Sequence, residues 1–498
     1  MPNNKTELVM LVSATGLPSL HMCYDDLQIK WSAADDALGY DAAEYLSMEN
    51  FGAINADQQI DIRHGWERCY EGINTNNNVI NTYEKVTDMS EADLKALAAI
   101  AYFKRAYCYF YLVRFFNNVV LVLDSYRADF KHEMTLTPAR EIYDLIISDL
   151  QFAEQWLPVT WKGSGYPWQN AAEPNKGIAK CVLAEVYLQM AGYPINGGTE
   201  YYARARDKAK EIIDGAETVY HYGMHEYFYQ VWDMWKPGQV ENEEYIWYTL
   251  HDPTYARSLR SPRPWRPAEY GGWSMIFPEL GFYNRYPEGD RKEFMFITDF
   301  YHGPDAGHAE VYHHHYTDLA VQHPCYRKLW ADDLVGEWKW ENRNLPTSNW
   351  NIAMEARGDW QNGRSWPWIR YPEILLIYAE TKARTDGPDA LAYKCLNDVR
   401  NRAYKGLYTT EASVNGLSTE EFIDLVIWER AWEFAGFEIC SRWWDLQRLE
   451  LVEKANTEWR DEPDPRYAIQ RSITKDDYFL PLPEFETQLN PNLGNNKP

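Results

Sequence analysis

The chain has 498 residues, which suits one large domain with an elaborated insert or two closely packed subdomains. Its 74 acidic and 49 basic side chains give a formal net charge of −25, so anionic membranes are disfavoured and nucleic acid is not expected as a partner. The hydrophobic fraction of 45% supports a globular interior. However, 22 Trp and 37 Tyr are more than an ordinary core needs, and such a surplus of rings is typical of surfaces that face carbohydrate.

The seven cysteines form no CxxC pair and no spacing typical of a zinc site. Most of them lie inside apolar helical patterns, as Cys108 does in AYCYF. A thiol in such a pattern behaves as a small hydrophobic side chain. We therefore predict buried free thiols, and no cofactor.

The N-terminal region has an ambiguous apolar stretch, from Leu8 to Leu20, followed by Cys23. A lipoprotein signal would place a small residue before the acylated cysteine, whereas this chain has the bulky Met22 there and Pro18 within the apolar region. The stretch therefore predicts a first amphipathic helix. No apolar run elsewhere reaches the roughly 18 residues that span a bilayer.

Apolar residues at helical spacing dominate the first part of the chain. The longest predicted helix has a nearly continuous apolar surface and Ser90 as its N-cap. Thr137 is expected to cap a later helix, with Pro138 at its first position. Since neither helix of a pair can bury its apolar face alone, the pattern predicts a stack of helix pairs. The predicted helices cover residues 66–80, 90–116, 138–150, 175–191 and 201–214.

Residues 219–367 differ in kind, being rich in Gly, Pro, Trp, His and Tyr, with only short apolar periodicity. Half of the tryptophans fall between Trp232 and Trp366. Loops and short strands are expected here, and a long irregular segment within a helical chain is normally a functional insert.

Residues 368–403 predict a helical hairpin, because apolar residues recur at helical spacing on both sides of Asp386-Gly387-Pro388. Glycine tolerates the left-handed conformation that ends a helix, and proline suits the first turn of the next one. Further along, Ser418 and Glu421 have the spacing of a capping box. The expected organisation is therefore helical pairs in 1–218, a loop-rich insert in 219–367, and a closing helical part in 368–498.

Four motifs carry a resemblance to a known family: RYPEILLIYAE (370–380), LNDVRNRA (396–403), ERAWEFAGFEICSRWWDLQR (429–448) and FLPLPEFETQLNPNL (479–493). Together they resemble the SusD/RagB family of outer-membrane, nutrient-capturing lipoproteins, from about residue 30 to the end. The resemblance implies a mainly α fold, namely a tetratricopeptide-like stack of four helix pairs with a loop-rich, Trp-rich insert.

The resemblance also implies a function and a location. Proteins of this family are held on the outer leaflet of the outer membrane by a lipid on an N-terminal cysteine. They bind oligosaccharide or polysaccharide, and deliver it to a SusC-like TonB-dependent transporter. Because this chain has no convincing lipid-attachment signal, we expect the anchor to belong to a longer precursor.

Other functions have their own candidate residues. Glu429 with Glu433, and Glu373 with Glu380, could be the acid and base of a glycoside hydrolase with an aromatic-lined cleft. These pairs lie along helices rather than across a cleft, and nearby arginines favour buried ion pairs that tie helices together. A plain helical-repeat scaffold for other proteins is the remaining alternative. The arginines are Arg370, Arg400, Arg402, Arg430 and Arg442.

His313, His314 and His315, with Cys325 nearby, could bind a transition metal. Consecutive residues of an extended segment point to opposite faces, however, so three in a row seldom ligate one ion. No metal is therefore predicted.

A glycan site needs an exposed ring for stacking and nearby polar groups for the sugar hydroxyls. The insert offers both, and we expect a non-enzymatic glycan-binding protein in which two or three of the insert tryptophans are exposed. The candidate residues are Trp265, Tyr270, Trp273, Trp330, Trp338, Trp340, Trp350 and Trp360, with Arg266 and Asn349 as polar partners.

Overall fold

The computed structural model describes residues 2–15, 17, 33–40, 48, 50–54, 56–124, 134–167, 173–233, 242–249, 266–270, 272–302, 312–329, 366–404, 412–436, 438 and 442–494. The helices of its first half are α1 (Lys5–Ala14), α2 (Ala56–Ile80), α3 (Glu91–Phe116), α4 (Ala139–Trp156), α5 (Lys176–Ala191), α6 (Gly198–Gly215) and α7 (Gln230–Asp233). The later ones are α8 (Leu280–Arg285), α9 (Asp290–Met295), α10 (Tyr371–Asp386), α11 (Ala390–Ala403), α12 (Thr419–Phe434), α13 (Arg442–Arg448), α14 (Val452–Lys454) and α15 (Glu484–Leu489).

Short antiparallel strand pairs accompany the helices. They are β1 (Leu38–Gly39) with β5 (Ile276–Phe277), β2 (Val119–Val120) with β3 (Leu136–Thr137), β4 (Tyr245–Thr249) with β10 (Trp366–Arg370), β6 (Phe296–Ile297) with β9 (Cys325–Tyr326), and β7 (Asp299–His302) with β8 (Tyr312–His315). The chain is thus mainly helical, as predicted.

Local caps begin the helices where the sequence places them. The Ser90 side chain accepts a hydrogen bond from the Asp93 amide at the start of α3. Ser418 and Glu421 form the predicted capping box of α12, in which each side chain accepts a hydrogen bond from the other residue's amide. These contacts satisfy amides that have no partner within the helix.

Two predicted helix starts are wrong by one or two residues. Thr137 lies in strand β3, and Pro138 itself is the N-cap of α4, with an extended backbone (φ −56°, ψ 141°). Similarly, Pro388 precedes α11, because Asp389 is the N-cap and its side chain accepts from the Ala392 amide. In both cases the proline lies outside the helix.

The helices pack in chain order into one stack. Helix α3 lies between α2 and α4, α5 follows α4, and α6 packs on α5. Helix α10 then packs directly on α6, although the whole insert separates them in sequence, and α11 and α12 pack on α10. The predicted hairpin 368–403 therefore continues the stack beyond the insert, and Gly387 ends its first helix with φ +81°.

The insert is attached to the stack at several points. The pairing of strands β4 and β10 brings the two ends of the insert together. In addition, Trp247 of β4 packs edge-on against Tyr107 of α3, with 4.8 Å between the ring centres. Strand β1 pairs with β5 inside the insert. Residues 368–370, the first three of the predicted hairpin, therefore belong to strand β10, because they complete its pairing with β4. The proposed domain boundaries stay a prediction.

Two apolar cores are distinct within the described residues. The larger one runs through the helical stack and includes both ends of the insert. The smaller one is formed by residues of the insert, and the half-buried Tyr40 and Tyr316 pack against it. Its buried members are Tyr270, Phe277, Ile297, Phe300, Leu319, Val321 and Cys325.

None of the described helices combines the length and the apolar composition that spanning a bilayer requires.

Candidate functional site

The carboxylates considered for hydrolysis are buried in ion pairs. Arg370 contacts Glu433 and Glu244 at 2.7 Å and Glu438 at 2.6 Å, and Arg291 contacts Glu429 at 2.6 Å. Their side chains are almost completely excluded from solvent. These contacts confirm the expectation that arginines tie the helices together, and they also connect the insert to the stack.

The second pair of carboxylates has the same environment. Glu380 is bound by Arg448 at 2.6 Å and by Arg384 at 2.8 Å, while Glu373 pairs with Arg430 at 2.9 Å. A general acid or base must reach its substrate through hydrogen-bond contact. Buried carboxylates that are already paired do not meet this requirement.

The electrostatics of Glu433 also disfavour a catalytic role. Burial alone would raise its pKa, but Arg402, Arg370 and Arg291 outweigh burial and lower the pKa to about 2. A catalytic acid needs a pKa near the working pH to hold its proton. Glu433 is instead a permanently charged structural group.

Two histidines of strand β8, His314 and His315, have structural contacts. His314 Nδ1 lies 3.1 Å from the Tyr270 hydroxyl, and His315 caps the turn at 316–318. Cys325 is buried, and burial raises the pKa of its thiol well above the usual value, which disfavours the thiolate that binds metals. In the described part of the chain, no group of three or more His, Cys, Asp or Glu side chains is arranged to hold a metal ion.

Three of the ten candidate glycan-binding residues lie in the described part of the chain: Arg266, Tyr270 and Trp273. The structure places them in one turn-rich loop, residues 266–270 and 272–275, which we call the Trp273 loop. The other seven lie outside the described residues: Trp265, Trp330, Trp338, Trp340, Asn349, Trp350 and Trp360.

Tyr270 connects the Trp273 loop to the smaller apolar core. Only 5% of its surface is exposed, and its ring packs 5.1 Å from that of Phe300 in the smaller core. Its hydroxyl donates to the Phe300 carbonyl oxygen at 3.2 Å. Tyr270 therefore has little ring surface for a sugar, and its contacts support the loop.

Arg266 closes the Trp273 loop through its backbone. Its carbonyl oxygen accepts from the Ser274 amide at 3.0 Å, and its side chain is buried. Gly272 passes so close that a Cβ on it would lie 1.9 Å from the same oxygen. Only glycine fits there, so the loop has one tight conformation.

Trp273 lies at the exposed end of this loop. Its exposed fraction of 44% contrasts with that of other insert tryptophans, since Trp232, Trp247 and Trp366 are all buried. The next residue, Ser274, has φ +50°, a conformation that non-glycine residues seldom adopt. Trp273 is thus an exposed ring beside a turn that backbone hydrogen bonds close.

Polar side chains lie in the Trp273 loop and in the segment around Ala320, which contacts the loop. Exposed Glu269 accepts a hydrogen bond from the Ala320 amide at 2.9 Å, and Asp318 is exposed in the adjacent turn. Gln322, at φ +53°, is also exposed. Carboxylates accept hydrogen bonds from hydroxyls, and the amide can both donate and accept. The surface therefore combines a stacking ring with groups that can hold sugar hydroxyls.

A neighbouring cluster, formed by Tyr40, Arg466 and Tyr467, was not among the predicted site residues. The Arg466 guanidinium lies 5.3 Å from the Tyr40 ring centre and 5.4 Å from that of Tyr467. It also donates to Asp464, and this hydrogen bonding lowers the pKa of the Asp464 carboxyl. Tyr40 and the segment 464–467 come from opposite ends of the chain. In the sequence, only the short motif DPRY (464–467), in which charged residues stand next to a tyrosine, could have indicated this cluster.

Comparison with known proteins agrees with this architecture. The model of the SusD family matches residues 47–498. A curated relative, SusD-like protein P2 of Formosa agariphila, is 30% identical over 455 residues, covering 87% of this chain and 79% of the relative.

Solved structures share the fold along nearly the whole chain. A SusD superfamily protein from Parabacteroides distasonis superposes with a TM-score of 0.77 at 21% identity, covering 98% of both chains. Another crystal structure, determined with xylogluco-oligosaccharide, has a TM-score of 0.71 at 19% identity and covers 99% of this chain and 97% of its own. The predicted stack of helix pairs with an insert is thus confirmed as the fold of this superfamily, and the chain belongs to the SusD family.

Proposed function

We propose that this protein is a non-enzymatic glycan-binding protein of the cell surface, which captures oligosaccharide or polysaccharide. The observation that carries the proposal is the exposed Trp273 ring in a loop closed by backbone hydrogen bonds, with the exposed Glu269 in the same loop. A solved relative bears a xyloglucan-derived oligosaccharide, which supports a glycan as the class of ligand. The predicted tryptophans outside the described residues remain part of this proposal.

The test is a glycan array followed by calorimetry with the glycan that binds. Trp273→Ala is expected to lower the affinity at least tenfold while the helical circular dichroism stays unchanged, because stacking on one aromatic ring is lost. Phe485→Ala is the matched control, since the side chain of Phe485 is similarly exposed (42%) but lies on α15, which packs against α2 in the helical stack. If the wild-type protein binds no glycan, or if Trp273→Ala binds as tightly as wild type, the proposed site is wrong.

The absence of catalysis is part of the proposal. The paired carboxylates that could have formed a hydrolytic site are buried and bound to arginines. We therefore expect no shortened sugars after prolonged incubation of the pure protein with the glycan it binds. Release of shortened oligosaccharides would favour the hydrolase instead.

Delivery to a SusC-like TonB-dependent transporter and a lipid anchor in the outer membrane are proposed from membership of the family. The transporter partnership is tested by co-expression with a tagged SusC-like protein and co-purification in detergent. Co-purification at a defined stoichiometry is the expected result. A chain that purifies alone, and that binds other polypeptides but no glycan, would favour the helical-repeat scaffold.

A further inference from the structure

Tyr40 lies directly beside the Trp273 loop. Its amide donates to the Met275 carbonyl oxygen at 2.7 Å, which extends the pairing of β1 with β5 by one residue. Trp273 precedes Met275 by two residues, so their Cα atoms are at most roughly 7 Å apart. Tyr40 and Trp273 are therefore close together along the paired backbones.

A second contact joins Tyr40 to this surface. Its hydroxyl donates to the Ala320 carbonyl oxygen at 3.0 Å, and the Ala320 amide donates to Glu269 of the Trp273 loop at 2.9 Å. One residue of the insert thus connects the Tyr40 side chain with the loop that carries Trp273. The relative position of the two aromatic residues is set by hydrogen bonds on both sides.

Arg466 extends the surface beyond Tyr40. About half of its side chain is exposed (52%), and its guanidinium lies against the Tyr40 ring while it is held by Asp464 at 2.6 Å. Tyr467 is buried beneath it and packs 6.4 Å from Tyr40. The arrangement holds a long side chain in place, so less conformational entropy is lost when it binds a ligand.

The chemistry of the Arg466 and Asp464 pair suits a sugar. Guanidinium groups only donate hydrogen bonds and carboxylates only accept them, whereas a hydroxyl does both. A pair with one of each can therefore bind adjacent hydroxyls of one sugar unit. Tyr40 contacts the Trp273 loop through its backbone amide and Arg466 through its ring, so it connects the two. We therefore expect a ligand that reaches both Trp273 and Arg466 to be longer than a monosaccharide.

We infer that Tyr40 and Arg466 form a second contact point for the glycan that Trp273 binds, so that the site recognises an oligosaccharide across three separate parts of the chain. This inference rests on the proposed function. It adds two specificity-determining residues, one from each end of the sequence, to the site in the insert.

The experiment measures affinity by calorimetry against a series of chain lengths, from monosaccharide to hexasaccharide, of the glycan found on the array. Arg466→Gln and Tyr40→Ala are expected to weaken hexasaccharide binding at least fivefold, while the shortest oligosaccharide that binds loses less than twofold. Trp273→Ala is expected to weaken binding at every length. Arg471→Ala is the matched control, because Arg471 is an equally exposed arginine paired with Asp477, and its loss should change nothing.

Tyr40→Phe separates recognition from support of the loop. It removes the hydroxyl that donates to Ala320 but keeps the ring, so hexasaccharide affinity should stay within twofold of wild type. An equal loss with Tyr40→Phe and Tyr40→Ala would mean that Tyr40 only holds the loop, and would overturn the inference. So would hexasaccharide binding at wild-type affinity by Arg466→Gln. In either case the proposed function stays intact if Trp273→Ala still lowers the affinity at least tenfold. A wild-type protein that binds no glycan overturns both the inference and the proposed function.

Discussion

Arg370 and Glu433 form an ion pair at 2.7 Å, and no more than 1% of either side chain is exposed. Arg370 comes from strand β10, at the end of the insert, and Glu433 from α12 in the closing part of the stack. Glu433 is also bound by Arg291 at 2.8 Å and contacts Arg402. Three cations thus share one carboxylate in a dry interior, where charges are retained only if they are paired.

Glu433→Gln is expected to lower the free energy of unfolding by about 3–5 kcal/mol, because removing one partner leaves buried charges uncompensated. Urea unfolding followed by circular dichroism measures the change. Asp398→Asn is the control, since its pair with Lys394 is exposed and such pairs contribute roughly 0–1 kcal/mol. Equal stability of Glu433→Gln and wild type would show that the buried network contributes nothing.

Glu185 should make the stability depend on pH. Burial raises its pKa from 4.5 to about 8, and the nearby Glu373 adds to the rise, while Arg114 and Arg430 oppose it. Between these two pH values the folded state holds a proton that the unfolded chain has released. The contribution of Glu185 to stability is therefore greatest below the lower value and falls as the pH rises towards the upper one, by about 1.4 kcal/mol per pH unit.

Glu185→Gln is expected to reduce this slope by about 1.4 kcal/mol per pH unit, because the amide is neutral at every pH. The part of the slope below pH 7 that comes from Asp36 and Glu279, whose pKa values burial also raises to about 7, should remain. Unfolding measured at half-unit steps from pH 5 to pH 9 tests it. Glu453→Gln, at an exposed position, should keep the wild-type slope. A mutant Glu185→Gln whose stability falls as steeply as that of wild type would contradict the assignment.

Tyr270→Phe is expected to weaken glycan binding about fivefold, the equivalent of roughly 1 kcal/mol for one net hydrogen bond. The variant loses the bond from Tyr270 to the Phe300 carbonyl oxygen, so the loop that presents Trp273 is less well fixed. Calorimetry measures the change. Tyr245→Phe is the control, because its buried hydroxyl bonds to Val231 elsewhere. Loss of affinity in both variants would point to a general loss of stability.

Gly272→Ala is expected to lower glycan affinity at least tenfold, because the new Cβ would clash with the Arg266 carbonyl oxygen and displace Trp273. Gly223→Ala serves as the control, since its Cβ would meet only the Glu243 side chain, at an ordinary distance of 3.5 Å. Calorimetry together with the melting temperature distinguishes displacement of the loop from unfolding. Unchanged affinity would show that the loop conformation does not matter for binding.

The helical part of the fold could be predicted from local patterns. Ser90 and Ser418 begin their helices by contacts with residues three positions away, so the signal lies within a few letters of sequence. The arginines and glutamates of the helices after the insert were likewise expected to pair, because charged side chains on apolar helices cannot be buried alone. Which arginine meets which glutamate was decided by the packing of elements that are distant in sequence, as Arg370 and Glu433 are.

The candidate site shows the limit of this reasoning. Composition indicated aromatic residues in the insert, and Tyr270 and Trp273 were equal candidates by sequence. Their exposures of 5% and 44% differ because Tyr270 packs into the smaller core, whereas Trp273 follows the turn that leaves it. Tyr40 and Arg466 were missed because they are more than 400 residues apart in sequence and meet only in the folded chain.

By itself, the sequence determined the fold class, the family resemblance and the repeated helix pairs, since these depend on periodicity, caps and motifs that neighbouring residues carry. Only the tertiary structure decided which ring faces solvent, which carboxylates are neutralised, and which residues from the two chain ends join the insert. Those outcomes depend on contacts across hundreds of residues, where burial and hydrogen bonding, rather than residue type, determine what a side chain can do.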